Sequence, residues 1–251
     1  MALQFSRRIF FGVLLCWASA SQATLSTPER DALLAQHNQT RSSAVPSAAN
    51  MTRLVWDANL ATVAQLWAAQ CNFAHNPNRG SAYAALSPNS GQVGENIYVT
   101  TGSRASALTG ANGASALWAA EVSDYNFAAN NCASGKVCGH YTQMVWANTR
   151  RVGCAVQLCA TVTGLPNFTN AQLLVCDYNP AGNFIGQSPY IAGSSGSQCP
   201  PDLPNVVDGL CSPNTAVAAP VKQVPTMPGA GLLVLAALLL IRGIRATHQE
   251  C

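Results

Sequence analysis

The sequence predicts an α+β domain in which helices come first and paired strands follow. Amphipathic spacing and helix-capping residues occur before residue 126, and apolar runs of strand type occur at 152–156 and 173–178. Between these halves, residues 138–146 hold a histidine, two large aromatic residues and a cysteine. We expect this stretch to form a helical turn that presents polar side chains on one face of the domain.

Three helices are predicted from capping and spacing. The first begins after Ser26, which forms a capping box with Glu29, and runs to about Arg41. The second begins after Asp57, and the third covers 114–125. The second helix carries a buried stripe with the spacing of one helical face: Leu60, Val63, Ala64, Trp67, Ala68 and Cys71.

Aromatic residues on these helices are expected to be structural. Trp67 lies on the buried stripe, so we place it in the core and not in a binding site. His37 lies on the first helix and is expected to be an ordinary residue at the edge of the core.

The segments between the helices are expected to be loops. Residues 42–51 are rich in Ser, Ala and Pro, residues 76–93 are polar and turn-rich, and residues 102–113 are flexible. Order resumes at 94–99, where a glycine precedes Glu95 in a stretch poor in charge. An isolated carboxylate of this kind is a candidate for a functional site.

Composition allows one sizeable domain with appendages. Of the 251 residues, 49% are apolar and 9% are charged, which argues against disorder throughout. The net charge of +3 comes from basic residues near the two ends: Arg7, Arg8, Lys222, Arg242 and Arg245. Because no basic stripe interleaved with aromatic residues lies between them, we expect no nucleic-acid partner.

Residues 1–23 have the features of an export signal. Arg7 and Arg8 precede an apolar run at 9–18, and small residues at 21–23 suit cleavage before Thr24. An uncleaved membrane anchor is the alternative.

Export predicts that the cysteines form disulfides. With Cys16 and Cys251 set aside, eight remain: Cys71, Cys132, Cys138, Cys154, Cys159, Cys176, Cys199 and Cys211. The sequence does not choose among their pairings, except that Cys199 and Cys211 are expected to pair because they lie together beyond the turn-rich segment 179–190. The absence of a Cys-x-x-Cys motif argues against a zinc knuckle, and a catalytic thiol at Cys138 would need a free thiolate, which an oxidising compartment disfavours.

Three segments follow the domain. Residues 192–214 are rich in Gly, Ser and Pro and are expected to be an extension held by its two cysteines, and residues 215–228 read as a linker. Residues 229–245 hold an apolar run followed by arginines, which predicts a membrane anchor with the domain outside the cytoplasm. A buried core helix and a sorting tail that is removed are the alternatives for this last segment.

Several of these motifs together resemble the CAP superfamily, which includes cysteine-rich secretory proteins, antigen 5 and plant pathogenesis-related 1 proteins. Residues 139–146 with 153–155 are similar to one family signature, and residues 175–186 are similar to a second. Lesser similarities are found at 56–61, at 94–97, at Cys71 with His75, and at Trp118 with Glu121. The resemblance covers about residues 28–190, and we assign the domain to 24–191.

The resemblance implies a three-layer α-β-α sandwich with a central antiparallel sheet. It also implies a cleft lined by two histidines and two glutamates: His75, Glu95, Glu121 and His140. In this interpretation His75 and His140 reversibly bind Zn²⁺ or another divalent cation, and the two carboxylates orient the imidazoles.

For function, the resemblance implies an exported binding protein. Its ligand would be a lipid or sterol, or a partner protein outside the cell. The alternatives are a zinc-dependent hydrolase, a protease or esterase, that uses His140 and Glu121, and a structural adhesin without a working cleft. Residues 76–93 and 160–170 are expected to be long loops that flank the cleft and affect which ligand it accepts.

Three Asn-x-Thr sequences begin at Asn38, Asn50 and Asn167. Each is a glycosylation acceptor if the host is eukaryotic.

Overall fold

The computed structural model describes residues 24–213. The predicted export signal (1–23), linker (215–228) and apolar tail (229–245) therefore lie outside the described residues. Among the helices that are described, none combines the length and the apolar character needed to cross a bilayer.

The described residues form an α+β fold in which helices cover both faces of a four-stranded sheet. Its helices are α1 (Thr27–Ser42), α2 (Ala58–Ala68), α3 (Arg79–Leu86), α4 (Arg104–Leu108), α5 (Ala114–Ala120) and α6 (Gly139–Met144), with a 3₁₀ turn at Glu121–Asp124. Its strands are β1 (Val55–Trp56), β2 (Gly94–Thr100), β3 (Tyr125–Asn126), β4 (Asn131–Cys132), β5 (Arg151–Val162), β6 (Leu165–Asn179), β7 (Asn205–Val207) and β8 (Leu210–Ser212). The central sheet has the order β1-β5-β6-β2, and two small hairpins join β3 to β4 and β7 to β8.

The central sheet is antiparallel except at one edge. β5 and β6 form a long antiparallel hairpin, and β2 runs antiparallel to β6. The short β1 runs parallel to β5. The expected antiparallel sheet is thus present in three strands, and the fourth makes the sheet mixed.

Alternate residues of the strands build two cores, one on each face of the sheet. On the first face the strands pack against α1, α5 and α6: Leu33, Trp118, Met144, Val156, Leu174 and Tyr178. On the second face they pack against α2: Ala64, Ala68, Ala155, Leu173 and Val175. Gly153 lets α2 approach the sheet closely, because a Cβ at that position would lie 2.2 Å from the backbone nitrogen of Ala61.

The first helix begins as the capping signal predicts, and its last turn is held by a buried arginine. The Ser26 and Glu29 side chains form the expected capping box. Arg41 is 1% exposed, and its guanidinium donates hydrogen bonds to five backbone carbonyl oxygens: those of Thr52, Met144, Trp146, Ala147 and Thr149. Burial lowers the pKa of Arg41 to about 9, so the group remains a cation at neutral pH. It therefore joins α1 to two chain segments that are distant in sequence.

Several short elements differ from the sequence prediction. The segments expected as loops at 76–93 and 102–113 contain α3 and α4. The third predicted helix ends early, and its last turn is the 3₁₀ segment Glu121–Asp124. Residues 160–170 are not a loop but the end of the β5–β6 hairpin, where a register irregularity lies between Thr161 and Val162. The helices α3 and α4 and the 3₁₀ segment are too short to show a clear periodicity in the sequence.

All eight expected cysteines form disulfides. The pairs are Cys71–Cys159, Cys132–Cys138, Cys154–Cys176 and Cys199–Cys211. The last is the pair that the sequence predicts. Cys71–Cys159 joins the end of α2 to β5, and Cys154–Cys176 joins β5 to β6.

Candidate functional site

The first histidine–glutamate pair lies at the start of β2. Glu95 Oε1 accepts a hydrogen bond from His75 Nδ1 at 2.7 Å and another from the backbone nitrogen of Asn76 at 2.9 Å. The Glu95 side chain is fully buried, whereas the His75 side chain is 57% exposed. Because a carboxylate oxygen can only accept, Nδ1 is the donor in this bond, and Nε2 is the ring nitrogen that remains for another partner.

The glycine before Glu95 has a packing role. A Cβ at Gly94 would lie 2.0 Å from the side-chain oxygen of Gln143, which accepts a hydrogen bond from the backbone nitrogen of Gly182. A glycine therefore lets the start of β2 pass close to α6. This close approach positions Glu95, the next residue of the strand.

The second pair lies at the start of α6. Glu121 Oε1 accepts from His140 Nδ1 at 2.5 Å, and Glu121 Oε2 accepts from the backbone nitrogens of His140 and Tyr141 at 3.0 Å each. The ring of Trp118 stacks on the ring of His140, with the centroids 5.8 Å apart and the planes 15° from parallel. One carboxylate thus satisfies the first turn of the helix and orients the imidazole.

Asn96 connects the second pair to the core. Its side-chain nitrogen donates to the carbonyl oxygen of His140 at 3.1 Å and to the hydroxyl of Tyr178 at 3.2 Å. The Tyr178 hydroxyl in turn contacts His37 Nε2 at 2.8 Å. Glu95 and Asn96 are consecutive in β2 and point to opposite faces of the sheet. This strand therefore contacts both pairs, through the Glu95 carboxylate at His75 and through the Asn96 amide at the backbone of His140.

The first of these pairs lines a cavity. A cavity of about 550 Å³ is lined by His75 and Glu95 together with Arg79 and Gln143, among others, while His140 and Glu121 are not part of its lining. A second cavity of about 290 Å³ lies beside the Cys132–Cys138 disulfide. Asn183 and Phe184 line both cavities, so the two adjoin.

A third cavity, of about 370 Å³, lies away from the histidines, where α1, α2 and β5 meet. Its lining is mostly apolar: Leu25, Trp56, Ala58, Ala61, Leu66 and Ala155 are among its residues, with Arg30, Thr62 and Gln65 as polar members. Leu66 is 60% exposed although it is a large apolar residue. We call this space the α2 cavity.

Asp177 is a residue of the site that the sequence analysis missed. It is fully buried on β6 and lies directly opposite Glu95 in the β2–β6 pairing. Within the described residues, neither oxygen of Asp177 nor Oε2 of Glu95 has a hydrogen-bond donor. Burial, and next the nearby Glu95 carboxylate, raise the pKa of Asp177 well above its ordinary range, while the charge of Arg79 acts in the opposite direction. A proton on Asp177 would supply the donor that Glu95 Oε2 lacks, while the second oxygen of Asp177 would remain without one.

A signal for Asp177 was present in the sequence. It is the one charged residue in the apolar run 173–178, and a charge in a strand buried on both faces needs a partner.

His37 differs from its predicted place at the edge of the core. It is fully buried: Nδ1 donates to the Leu33 carbonyl at 2.8 Å, and Nε2 accepts from the Tyr178 hydroxyl. Burial lowers the pKa of His37 to about 4, so the imidazole is neutral at pH 7. His37 is a structural residue, as expected, but it lies at the centre of the core.

As a metal site, the described residues offer two imidazoles and no larger cluster. No group of three or more His, Cys, Asp or Glu side chains within 24–213 is placed to hold an ion. Each imidazole nevertheless has its Nδ1 bound to a carboxylate, which is the usual environment of a metal-binding histidine.

Comparisons with known proteins identify the family. The family model described as the cysteine-rich secretory protein family, CAP, matches residues 34–178. The chain is 38% identical over 201 residues to peptidase inhibitor 16 of Bos taurus, which covers 80% of this chain and 40% of that protein. It is 38% identical over 199 residues to peptidase inhibitor R3HDML of Mus musculus, which covers 76% of this chain and 72% of that protein. The chain thus spans less than half of the first relative and most of the second.

Solved structures show the same fold. Na-ASP-1 is 29% identical with a TM-score of 0.57, covering 76% of this chain and 49% of that one. NaASP2, whose structure was determined with Zn²⁺, is 29% identical with a TM-score of 0.56, covering 75% of this chain and 97% of that one. With its family model, its relatives and its sandwich fold in agreement, this chain belongs to the cysteine-rich secretory protein (CAP) family.

Proposed function

We propose that this chain is an extracellular binding protein that holds a hydrophobic small molecule, a lipid or a sterol, in the α2 cavity. The volume of about 370 Å³ and the mostly apolar lining carry the proposal, because small-molecule pockets have this size and character. Leu25, Trp56 and Leu66 supply apolar surface, and Arg30 supplies a charge for a polar head group. The disulfides and the family indicate an extracellular domain.

Filling the cavity tests this proposal. Thr62 lines the cavity on the exposed side of α2, so Thr62→Trp is expected to abolish binding of a fluorescent sterol or fatty acid to the purified protein. Gln39→Trp is the matched control, since it places the same side chain on an exposed position of α1 that does not line the cavity. Equal binding by both variants, or no binding by the wild type, would reject the α2 cavity as a lipid site.

We also propose that His75 and His140 bind a divalent cation such as Zn²⁺ reversibly. The free Nε2 of each imidazole is a suitable ligand, and the carboxylates of Glu95 and Glu121 fix the two rings. Because the described residues supply two imidazoles and no larger cluster, water or a bound molecule would complete the coordination, and we expect weak binding. The similarity to NaASP2, solved with Zn²⁺, supports the choice of ion.

A metal titration read by thermal unfolding tests the cation proposal separately from the lipid proposal. A ligand that binds only the folded state stabilises it, by about 2.7 kcal/mol at one hundred times its dissociation constant. We expect Zn²⁺ to raise the melting temperature of the wild type, and His75→Ala and His140→Ala each to remove the increase. An increase that survives both substitutions would place the ion elsewhere.

The hydrolase alternative has weaker support. A catalytic zinc site commonly has three protein ligands and one open position, and the described residues provide two imidazoles. Turnover of peptide or ester substrates that is abolished by both His140→Ala and a chelator would favour the hydrolase. If neither lipid nor metal changed the melting temperature, the structural adhesin would be favoured.

A protein partner is a second candidate for the binding function. Phe184 is 41% exposed, Ile185 is fully exposed, and both line the second cavity next to the histidine cleft. Exposed large apolar side chains beside a groove are typical of protein-binding surfaces. Two of the animal relatives are named peptidase inhibitors, which also suggests a protein ligand. Ile185→Ser should then weaken binding of a peptidase in a pull-down while Thr62→Trp leaves it unchanged.

A further inference from the structure

We propose that Asn167 carries an N-linked glycan when this chain passes through a eukaryotic secretory pathway, and that Asn38 and Asn50 do not. The three Asn-x-Thr sequences are equivalent as motifs. The structure distinguishes them by burial and by the hydrogen bonds of each side-chain amide.

The Asn38 amide is fully engaged inside the domain. Asn38 is 8% exposed, its Nδ2 donates to the carbonyl oxygen of Leu54 at 3.0 Å, and its Oδ1 accepts from the Leu54 backbone nitrogen at 2.8 Å. Leu54 is itself buried in the core. A glycan on Nδ2 would break the hydrogen bond that joins α1 to Leu54, at a position that is almost fully buried. A chain modified at Asn38 is therefore not expected to fold.

In the Asn50 sequence, both the asparagine and the threonine side chains are engaged in hydrogen bonds within the domain. Asn50 Oδ1 accepts from the backbone nitrogen of Ile191 at 2.9 Å. Thr52 is 1% exposed, and its hydroxyl donates to the carbonyl oxygen of Ala147 at 2.6 Å. Thr52 also receives the buried guanidinium of Arg41. The folded protein thus holds both ends of this motif in internal contacts.

The Asn167 sequence is open at both ends. Asn167 and Thr169 are exposed, and within the described residues no hydrogen bond engages the Asn167 side chain. The residue between them, Phe168, packs against the core cluster on the α2 face of the sheet. Because side chains alternate along a strand, this contact directs Asn167 and Thr169 to the other side, where they are in solvent.

Strand pairing leaves room beside Asn167. β2 pairs with β6 only from Gln172 to Tyr178. In the described part of the chain no strand lies along the same edge of β6 before Gln172. Together with the exposure of Asn167 and Thr169, this free edge gives access to a bulky, hydrated substituent at this end of the hairpin.

The transfer has a simple balance. The Asn167 side-chain nitrogen forms a bond to the anomeric carbon of an oligosaccharide linked to a lipid diphosphate, which the host's transferase supplies. The bond from that carbon to the diphosphate oxygen breaks, and the lipid diphosphate leaves with the electron pair. One proton of the amide nitrogen is released.

Secretion of the full chain from a eukaryotic cell line tests the assignment. Enzymatic removal of N-linked glycans should lower the mass of the secreted protein by a single glycan and convert Asn167 to aspartate, which peptide mass spectrometry detects. Asn167→Gln and Thr169→Ala should each abolish the shift, and Thr169→Ser should retain it. A secreted protein with no shift would overturn the proposal.

Matched variants test the two closed sequences. Thr40→Ala removes the Asn38 motif without altering Asn38, and Asn50→Asp removes the second motif while keeping an acceptor for Ile191. Both should be secreted with the same single glycan as the wild type. A glycan found on Asn38 or Asn50 of the folded, secreted protein would show that burial does not decide the modified site.

Discussion

Two buried ionisable groups on different faces of the sheet have contrasting surroundings. Arg41 lies below α1 and donates hydrogen bonds to five carbonyl oxygens and to the Thr52 hydroxyl. Asp177 faces α2 and, within the described residues, has no donor for either oxygen. A buried polar group stabilises a fold only when its partners replace the water that it loses. We therefore expect the Arg41 region to stabilise the domain and the Asp177–Glu95 region, beside the candidate cleft, to lower its stability.

The largest effect on stability is expected from removing the hydrogen bonds of Arg41. Arg41→Met removes the donors from five buried carbonyl oxygens, so we expect a loss of about 3–5 kcal/mol in the free energy of unfolding measured in urea. Arg53→Met is a matched control, because Arg53 forms a partly exposed ion pair with Asp208. That control should cost less than about 1 kcal/mol. If the two variants lost similar amounts of unfolding free energy, the hydrogen bonds from Arg41 to the five carbonyl oxygens would contribute no more to stability than a surface ion pair.

His37 lies on α1 like Arg41, is buried, and has hydrogen-bond partners for both ring nitrogens. It is expected to make the stability of the domain sensitive to acid. Burial lowers the pKa of His37 from 6.5 to about 4, so between these values the unfolded chain binds a proton that the folded protein does not. The contribution of neutral His37 to the free energy of unfolding is complete above pH 6.5. It is lost as the pH falls towards 4, and the total loss is about 3 kcal/mol. We expect His37→Gln to be less stable than the wild type at pH 7 and to lose less stability between pH 7 and pH 4. If the free energy of unfolding fell by the same amount in the two proteins between pH 7 and pH 4, His37 would not be the source of the acid sensitivity.

The contrast between these regions also explains what the sequence could predict. The capping box of Ser26 and Glu29 and the Asp57 cap are local, and both are present where expected. The partners of Arg41 and His37 are not local, since Met144 and Tyr178 are more than a hundred residues away. Their roles depend on tertiary packing, which periodicity does not reveal. The sequence therefore predicted His37 as a structural residue but placed it at the edge of the core, whereas the structure buries it fully.

The candidate site shows the same limit. The resemblance named four candidate site residues, but it did not say which glutamate orients which histidine; the structure pairs His75 with Glu95 and His140 with Glu121. It also missed Asp177, because the contact with Glu95 depends on the register of β2 against β6. The lone charge in an apolar strand was the available signal, and its partner was found only from the pairing of the strands.

Asp177→Asn tests the other side of the comparison with Arg41, and its expected effect on stability is the smallest of the three. Because burial raises the pKa of Asp177, the folded protein holds a proton above pH 4 that the unfolded chain releases, and wild-type stability falls as pH rises through this window. Asparagine supplies a neutral donor to Glu95 Oε2 at every pH. We expect the variant to match the wild type near pH 4 and to be more stable by about 1 kcal/mol at pH 8 in urea unfolding. Asp177→Leu lacks the donor and should be less stable than Asp177→Asn at both pH values. If Asp177→Asn were instead destabilised at pH 8 as much as Asp177→Leu, Asp177 would be an ionised residue with a charged partner, and the contrast with Arg41 would disappear.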